Sequence, residues 1–249
     1  MTKDHYVFED PKDVNVKVWR YMDFTKFIWL LENEALYFPR SDKLGDPFEG
    51  SITKLNIQLR PISAKKQNPD DPEVMMKLFS DLSQFRIFIR QWTYINCWHM
   101  NEYESAAMWN TYTKSNEAIA IQTTYINLKN LLPDNVYMGI VKYIDYDSDY
   151  IPIDNTFYPF INKRKSFEHE NEVRAIIQDV PTSEEGIDTT KSNNKNGVSI
   201  NIDPEKLIDR VYIAPTSPTW FRDLVKSLIN KYKIECNIIQ SSMDNDPVF

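Results

Sequence analysis

Apolar residues alternate with polar ones at Val14, Val16 and Val18, which predicts a first strand over residues 14–21 with Arg20 at its exit. Helical spacing then takes over. Phe24, Phe27, Ile28 and Leu31 recur behind Asp23, a residue suited to cap a helix over 23–34, and Ala35–Pro39 reads as a short strand closed by proline. Residues 42–50 break the pattern: Asp46 precedes Pro47 and is biased to extended backbone, Gly45 and Gly50 permit tight geometry, and the loop carries Asp46 and Glu49.

Beyond a polar, proline-containing connector at 68–72, Met75, Met76, Phe79, Leu82, Phe85 and Ile89 share one helical face and predict the longest helix, over 73–92. A buried strand at 93–99, a polar turn at 101–105 and a short helix at 106–112 follow. Strands are expected at 118–123 and 137–144. Residues 160–172 are dense in both charge signs and lead into a strand at 173–178, whereas 182–197 is polar and expected to form a mobile surface loop. The chain closes with a strand at 210–214, a helix opened by Ser217-Pro218 whose apolar face is Trp220, Leu224, Leu228 and Tyr232, and a strand at 234–239. There is no internal repeat. The pattern is that of an α+β protein: one domain over residues 1–249, a central mixed or antiparallel sheet, flanking helices and a C-terminal β-α-β unit.

Composition narrows the function. The 249 residues are 42% hydrophobic and 13% aromatic, enough for a substantial core. A formal net charge of −7 gives no basic excess for phosphate counterion release, so neither nucleic acid nor a membrane is indicated as partner. The five glycines allow neither a GxGxxG nor a GxSxG motif, and Gly45 and Gly50 have Walker spacing but are followed by Ser51-Ile52 instead of Lys-Ser/Thr. Cys97, Cys236, His5, His99 and His169 are scattered, so no metal is expected. The charged start and the lack of a long apolar run predict a cytoplasmic protein with reduced thiols.

Three ordered segments, WRYMDFTKFIWLLENEALYFPRSDKLGDPFEGS, CWHMNEYESAAMWNTYTKSNEAIAI and KRKSFEHENEVRAI, followed by the RVYIAP-helix-strand unit, resemble a bacterial family catalogued as a domain of unknown function, numbered twenty-nine seventy-one. That resemblance implies no activity. More distantly, the order is similar to ADP-ribosyltransferase-type folds, with an Arg on a first strand, a Ser or His in the middle and a Glu beside a late strand. It implies NAD as substrate, with Arg20 on phosphate or ribose, His99 or Ser105 positioning the nicotinamide ribose, and Glu172 as the catalytic carboxylate.

The residues themselves admit this chemistry. A fixed guanidinium at a strand end suits a pyrophosphate. Trp98 and Tyr112, with Tyr21 and Arg164, are candidates to hold a flat ring and its phosphates, while Met108 and Trp109 read as core. Glu170 and Glu172 project to one side if a strand begins at Glu170, so that one carboxylate stabilises an oxocarbenium-like centre while the other activates an acceptor. Lys163, Arg164, Lys165 and Arg174 are close enough in sequence to neutralise both, and Asp46 and Glu49 are expected to order their loop or to pair with Arg20 or Arg40. Three rivals stay open. A metal nuclease is disfavoured because Arg174 stands where its lysine belongs; a thiol enzyme would use Cys97 and His99, two apart on a strand; and a non-catalytic nucleotide- or protein-binding module would use the aromatics alone. The expected setting is phage defence or a stress response, with a small-molecule nucleotide as ligand and the acceptor undefined.

Overall fold

The computed structural model describes residues 4–244 and Pro247. The fold is α+β, and its centre is a seven-stranded mixed sheet. The first strand, β1 (Lys17–Asp23), is followed by α1 (Phe24–Asn33) and β2 (Ala35–Pro39). Three helices, α2 (Lys54–Gln58), α3 (Arg60–Gln67) and α4 (Pro72–Gln91), precede β3 (Thr93–Met100). Next come α5 (Ala106–Tyr112), β4 (Ala118–Thr124), α6 (Tyr125–Leu131), β5 (Tyr137–Ile140), β6 (Lys142–Ile144), α7 (Tyr158–Ile161), β7 (Asn162–Arg164) and β8 (Glu172–Gln178). A small hairpin of β9 (Thr182–Ser183) and β10 (Gly186–Ile187) leads to β11 (Gly197–Asn201), α8 (Pro204–Leu207), β12 (Arg210–Ile213), α9 (Thr219–Lys231) and β13 (Asn237–Gln240).

The sheet order is β13-β12-β4-β1-β3-β8-β5, antiparallel throughout except for the parallel β12–β13 pair that α9 connects. Both faces are covered, which is why β1, β3 and β8 are apolar on both sides and not alternating. On one face, Phe27, Leu30 and Leu31 of α1, Leu128 of α6 and Phe221, Val225 and Ile229 of α9 pack on Val18, Ile121, Val173 and Val211. The other face carries two smaller clusters. Met108 and Trp109 of α5 cover Trp19 and Tyr21, and Ile89 of α4 with Phe160 and Ile161 of α7 covers Ile95 and Ile176.

Several elements differ from the pattern-based expectation for identifiable reasons. Val14 and Val16 precede β1; their carbonyls accept the amides of Ile126 and Tyr125, so they splice onto the start of α6 instead of joining the sheet. Asp23 occupies the cap position of α1, but its carboxylate accepts the amide of Lys114. The expected strand over 137–144 breaks at Val141: β5 stays in the main sheet, and β6 turns away to pair in parallel with β7. In α9 the buried stripe is Phe221, Val225 and Ile229, one position on from the expected face, which leaves Trp220 and Leu224 exposed. Two i, i+4 stripes lie side by side on that helix, and spacing alone does not separate them.

The 182–197 segment is more tied than expected. Its Asn193 is buried, donates to the Gln91 carbonyl and the Tyr94 hydroxyl, and accepts from Arg40, after which β11 pairs along β2. Among the described residues no helix is long and apolar enough to cross a membrane.

Gly50 ends the 42–50 loop with φ of +72°, and a Cβ there would lie 2.4 Å from Cε1 of Phe160 and 2.9 Å from Cγ of Arg90. A left-handed backbone and a filled space both demand glycine. Gly50→Ala is expected to lower stability by about 1–3 kcal/mol or more, read from the denaturant midpoint.

Candidate functional site

A cavity of about 960 Å³ opens where the central sheet is weakest. β1 pairs with β4 along its whole length, and β3 with β8 from Thr93–Gln178 to His99–Glu172. Between β1 and β3, however, the register holds only Val18–Met100 and Trp19–His99. Past that junction β3 runs beside β2 instead, with the Asn96 amide donating to the Tyr37 carbonyl at 2.9 Å. The cavity is lined by Trp19 to Met22 of β1, by Cys97 to His99 of β3 and by Leu36 and Tyr37 of β2. Successive strand residues point to opposite faces, so a cavity that collects both Trp98 and His99 passes through the gap between the strands.

On one side of the gap lies a cluster of buried charges. The Arg174 guanidinium donates from Nε to Glu172 at 2.7 Å, from Nη1 and Nη2 to the two oxygens of Glu49 at 2.7 and 2.9 Å, and from Nη1 to the Phe160 carbonyl at 2.7 Å. Lys163 donates to Glu172 at 2.9 Å and also to Glu170. All five side chains are buried, with Arg174 only 1% exposed. Three carboxylates thus face two cations, and one retained proton makes the group neutral, which a low-dielectric interior favours. Burial raises the pKa of both Glu49 and Glu170, and Glu170, which lacks the Arg174 fork that pairs with Glu49, is the better placed to hold the proton. Burial, then its hydrogen bond and charge contact with Glu172, raise its pKa to about 7 against the pull of Lys163. Glu172 is also penalised by burial, yet Arg174, the Glu170 hydrogen bond and Lys163 together hold it well below the usual carboxylate range.

Local backbone brings the two carboxyls together. Residues Lys165–Glu170 form a 3-10 turn, Asn171 takes a left-handed conformation with φ of 38°, and β8 begins at Glu172. The carboxyls therefore meet across a left-handed link and not by alternation along a strand, which corrects the geometry assumed from their spacing. Asparagine suits the link because its short polar side chain tolerates this region and here donates to the Met100 carbonyl. The Asn171 carbonyl in turn accepts the Met100 amide at 2.9 Å, tying the turn to the end of β3.

His99 faces Glu172 across the β3–β8 ladder. Its Nδ1 lies 2.6 Å from the Glu170 carbonyl, which can only accept, so Nδ1 carries the proton and Nε2 keeps a lone pair. Nε2 is buried and has no hydrogen-bond partner among the described residues. Burial lowers the His99 pKa, with the Glu170 carbonyl opposing, so the ring is a neutral base near pH 7.

Arg20 complements it. Nη1 has no partner among the described residues, Nη2 reaches the Tyr37 carbonyl at 3.4 Å, and the guanidinium lies 5.9 Å from the Trp98 ring centroid. Burial pushes its pKa down to about 10, so it stays charged and uncompensated, a receptor for an anion. Cys97 also lines the cavity, but burial and then Glu172 push its thiol up to about 12, where it is a poor nucleophile.

Of the residues singled out from sequence, Arg20, Tyr21, Trp98, His99, Tyr112, Glu170 and Glu172 all line this one cavity. Burial, then the charges of Glu172 and Glu170, raise the Tyr112 hydroxyl pKa well above its ordinary value. Ser105 and Arg164 lie outside the lining. The Ser105 hydroxyl accepts the Met108 amide and caps α5, while its own amide donates to the Tyr21 hydroxyl. Arg164 pairs with Asp46 at 2.8 Å and lies 4.2 Å from the Phe48 ring centroid. Glu49 pairs with Arg174, neither with Arg20 nor with Arg40, whose partner is Asp42. Lys163 and Arg174, expected from sequence to neutralise the two carboxylates, do so as buried members of the site. Sequence reading missed Lys26, Trp29, Tyr37 and Phe167 of the lining altogether.

The assembled groups can bind an anion at Arg20, place a fixed negative charge at Glu172, and exchange protons at Glu170 and His99. No protein-family model, curated protein or solved structure matches the chain. The charge cluster itself predicts a pH response. Glu170 keeps its proton in the folded chain, whereas an ordinary glutamate releases it near 4.5, so this contribution to stability is full below that pH and is lost as pH rises through about 7. Glu172 has the opposite sign: its contribution is present above the ordinary glutamate value and lost as pH falls. Thermal midpoints measured from about pH 5 to about pH 8 are expected to fall more steeply in the wild type than in Glu170→Gln, which mimics the protonated acid. Parallel slopes would show that Glu170 is ionised throughout.

Proposed function

We propose that the chain cleaves the nicotinamide–ribose bond of NAD and passes the ADP-ribosyl group to water or to another acceptor, as an NAD glycohydrolase or ADP-ribosyltransferase. The observation that carries this reading is the meeting, in one cavity, of a guanidinium whose Nη1 has no partner among the described residues with two abutting carboxyls and an unpartnered imidazole nitrogen. The resemblance of residue order to ADP-ribosyltransferase-type folds points the same way.

In the proposed reaction Arg20 takes the pyrophosphate, and the nicotinamide ribose lies against Glu170 and Glu172. The C1′–N bond breaks with both electrons leaving on nicotinamide, which departs neutral because its ring nitrogen was cationic. The positive charge left at C1′ is stabilised by the Glu172 carboxylate, held as an anion by Arg174 and Lys163. Both Glu172 oxygens already accept from these cations, so its role is electrostatic, and proton movement falls to Glu170 and His99. An acceptor O–H or N–H then bonds to C1′ while its proton passes to Nε2 of His99.

Incubation of the purified protein with NAD is expected to release free nicotinamide. His99→Gln, which removes the base that takes the acceptor proton, should lower kcat by roughly 10²–10⁴ while NAD affinity stays close to wild type. Arg20→Ala is expected to weaken NAD binding at least about tenfold. Absence of NAD binding to the wild type by calorimetry would overturn the reading and favour a cavity that holds some other anionic ligand without turnover.

A further inference from the structure

The carboxylates, His99 and Tyr112 come from the 42–50 loop, the turn before β8, β8 itself, β3 and α5, and they leave one part of the cavity lining without a role. Thr25, Lys26 and Trp29 of α1 and Tyr37 of β2 complete the wall, and these two elements contribute none of the carboxyls. Trp29 is half-buried and Tyr37 is 37% exposed, and neither belongs to any of the hydrophobic core clusters. Their rings meet edge to face, with centroids 5.7 Å apart and planes at 80°. Two large aromatic rings that pack on each other, on no core, and on an open cavity are a stacking surface and not a part of the fold's interior.

The pair is also held in place. A Cβ on Gly197 of β11 would lie 2.5 Å from Cζ and Oη of Tyr37, so the tyrosine ring rests on the one residue type that leaves room for it. The Tyr37 carbonyl accepts from both Arg20 and Asn96, which fixes this residue beside the free guanidinium. A ring stacked at Trp29 and an anion at Arg20 are therefore neighbours, and Lys26 adds a positive charge to the same wall. An aromatic platform next to a phosphate-binding cation is the chemistry that takes a nucleobase joined through ribose to phosphate.

We propose that Trp29 and Tyr37 form a nucleobase subsite, which holds the base of a nucleotide whose phosphate is bound by Arg20. The inference rests on the reading that Arg20 takes the phosphate and extends it by assigning the opposite end of the ligand. It is tested by calorimetric titration of the full chain with AMP and with ribose 5-phosphate. AMP is expected to bind more tightly than ribose 5-phosphate; Trp29→Ala should weaken AMP roughly tenfold, leave ribose 5-phosphate unchanged and raise the KM for NAD with little change in kcat, while Trp29→Phe retains most of the affinity.

Equal affinity for the two ligands, no AMP binding, or an unchanged AMP affinity in a folded Trp29→Ala variant would overturn the subsite. The outcomes separate the two proposals. AMP binding that depends on Trp29, without nicotinamide release from NAD, keeps the subsite and removes the cleavage reaction. Nicotinamide release whose KM is indifferent to Trp29 does the reverse.

Discussion

Everything around the cavity depends on one guanidinium. Arg174 is buried in the middle of β8 and cannot lose its proton, so the interior must supply anions to it or the strand could not occupy that place. Glu49 answers from the 42–50 loop and Glu172 from the same strand two residues earlier, and the Phe160 carbonyl takes a further donor. The loop is thereby fastened to the sheet, and α7 is fastened to both. Two carboxylates around Arg174 then require Lys163, Lys163 draws in Glu170, and the surplus of negative charge forces a proton onto one member. The protonated acid is a consequence of anchoring an arginine, not an added device.

Much of this was legible before any coordinates. Most of the strands, the long α4 helix and the C-terminal β-α-β unit follow from periodicity, whereas the grouping of Arg20, His99 and the glutamates is what the resemblance in residue order implies. Local stereochemistry was less legible. Nothing in Glu170-Asn171-Glu172 says whether a strand begins at its first or its third residue, because asparagine is as comfortable in a left-handed link as in a loop. The choice was made by long-range bonds of Asn171 to Met100, which no local window contains.

The same limit explains the missing wall. Trp29 sits in an apolar stretch of α1, and Tyr37 in an apolar strand, so composition assigns both to the core. Their role depends on the gap between β1 and β3, a matter of which register is absent. A sequence pattern describes which residues can pair and is silent on where a ladder stops. Ser105 shows the other direction: a serine just before a helix is a strong cap, and its hydroxyl accepts the Met108 amide while its own amide donates to Tyr21 of the cavity lining.

The short junction between β1 and β3 divides the sheet into β13-β12-β4-β1 and β3-β8-β5, yet the chain does not respect that division. It passes from one half to the other between β1 and β3, β3 and β4, β4 and β5, and β8 and β12. Four covalent threads therefore cross the line of the cavity, and no single cut of the backbone frees either half. Each half collects strands far apart in sequence, so most of the pairing carries a loop-closure cost. A cavity made this way is bounded on both sides by strands that the backbone ties together four times over.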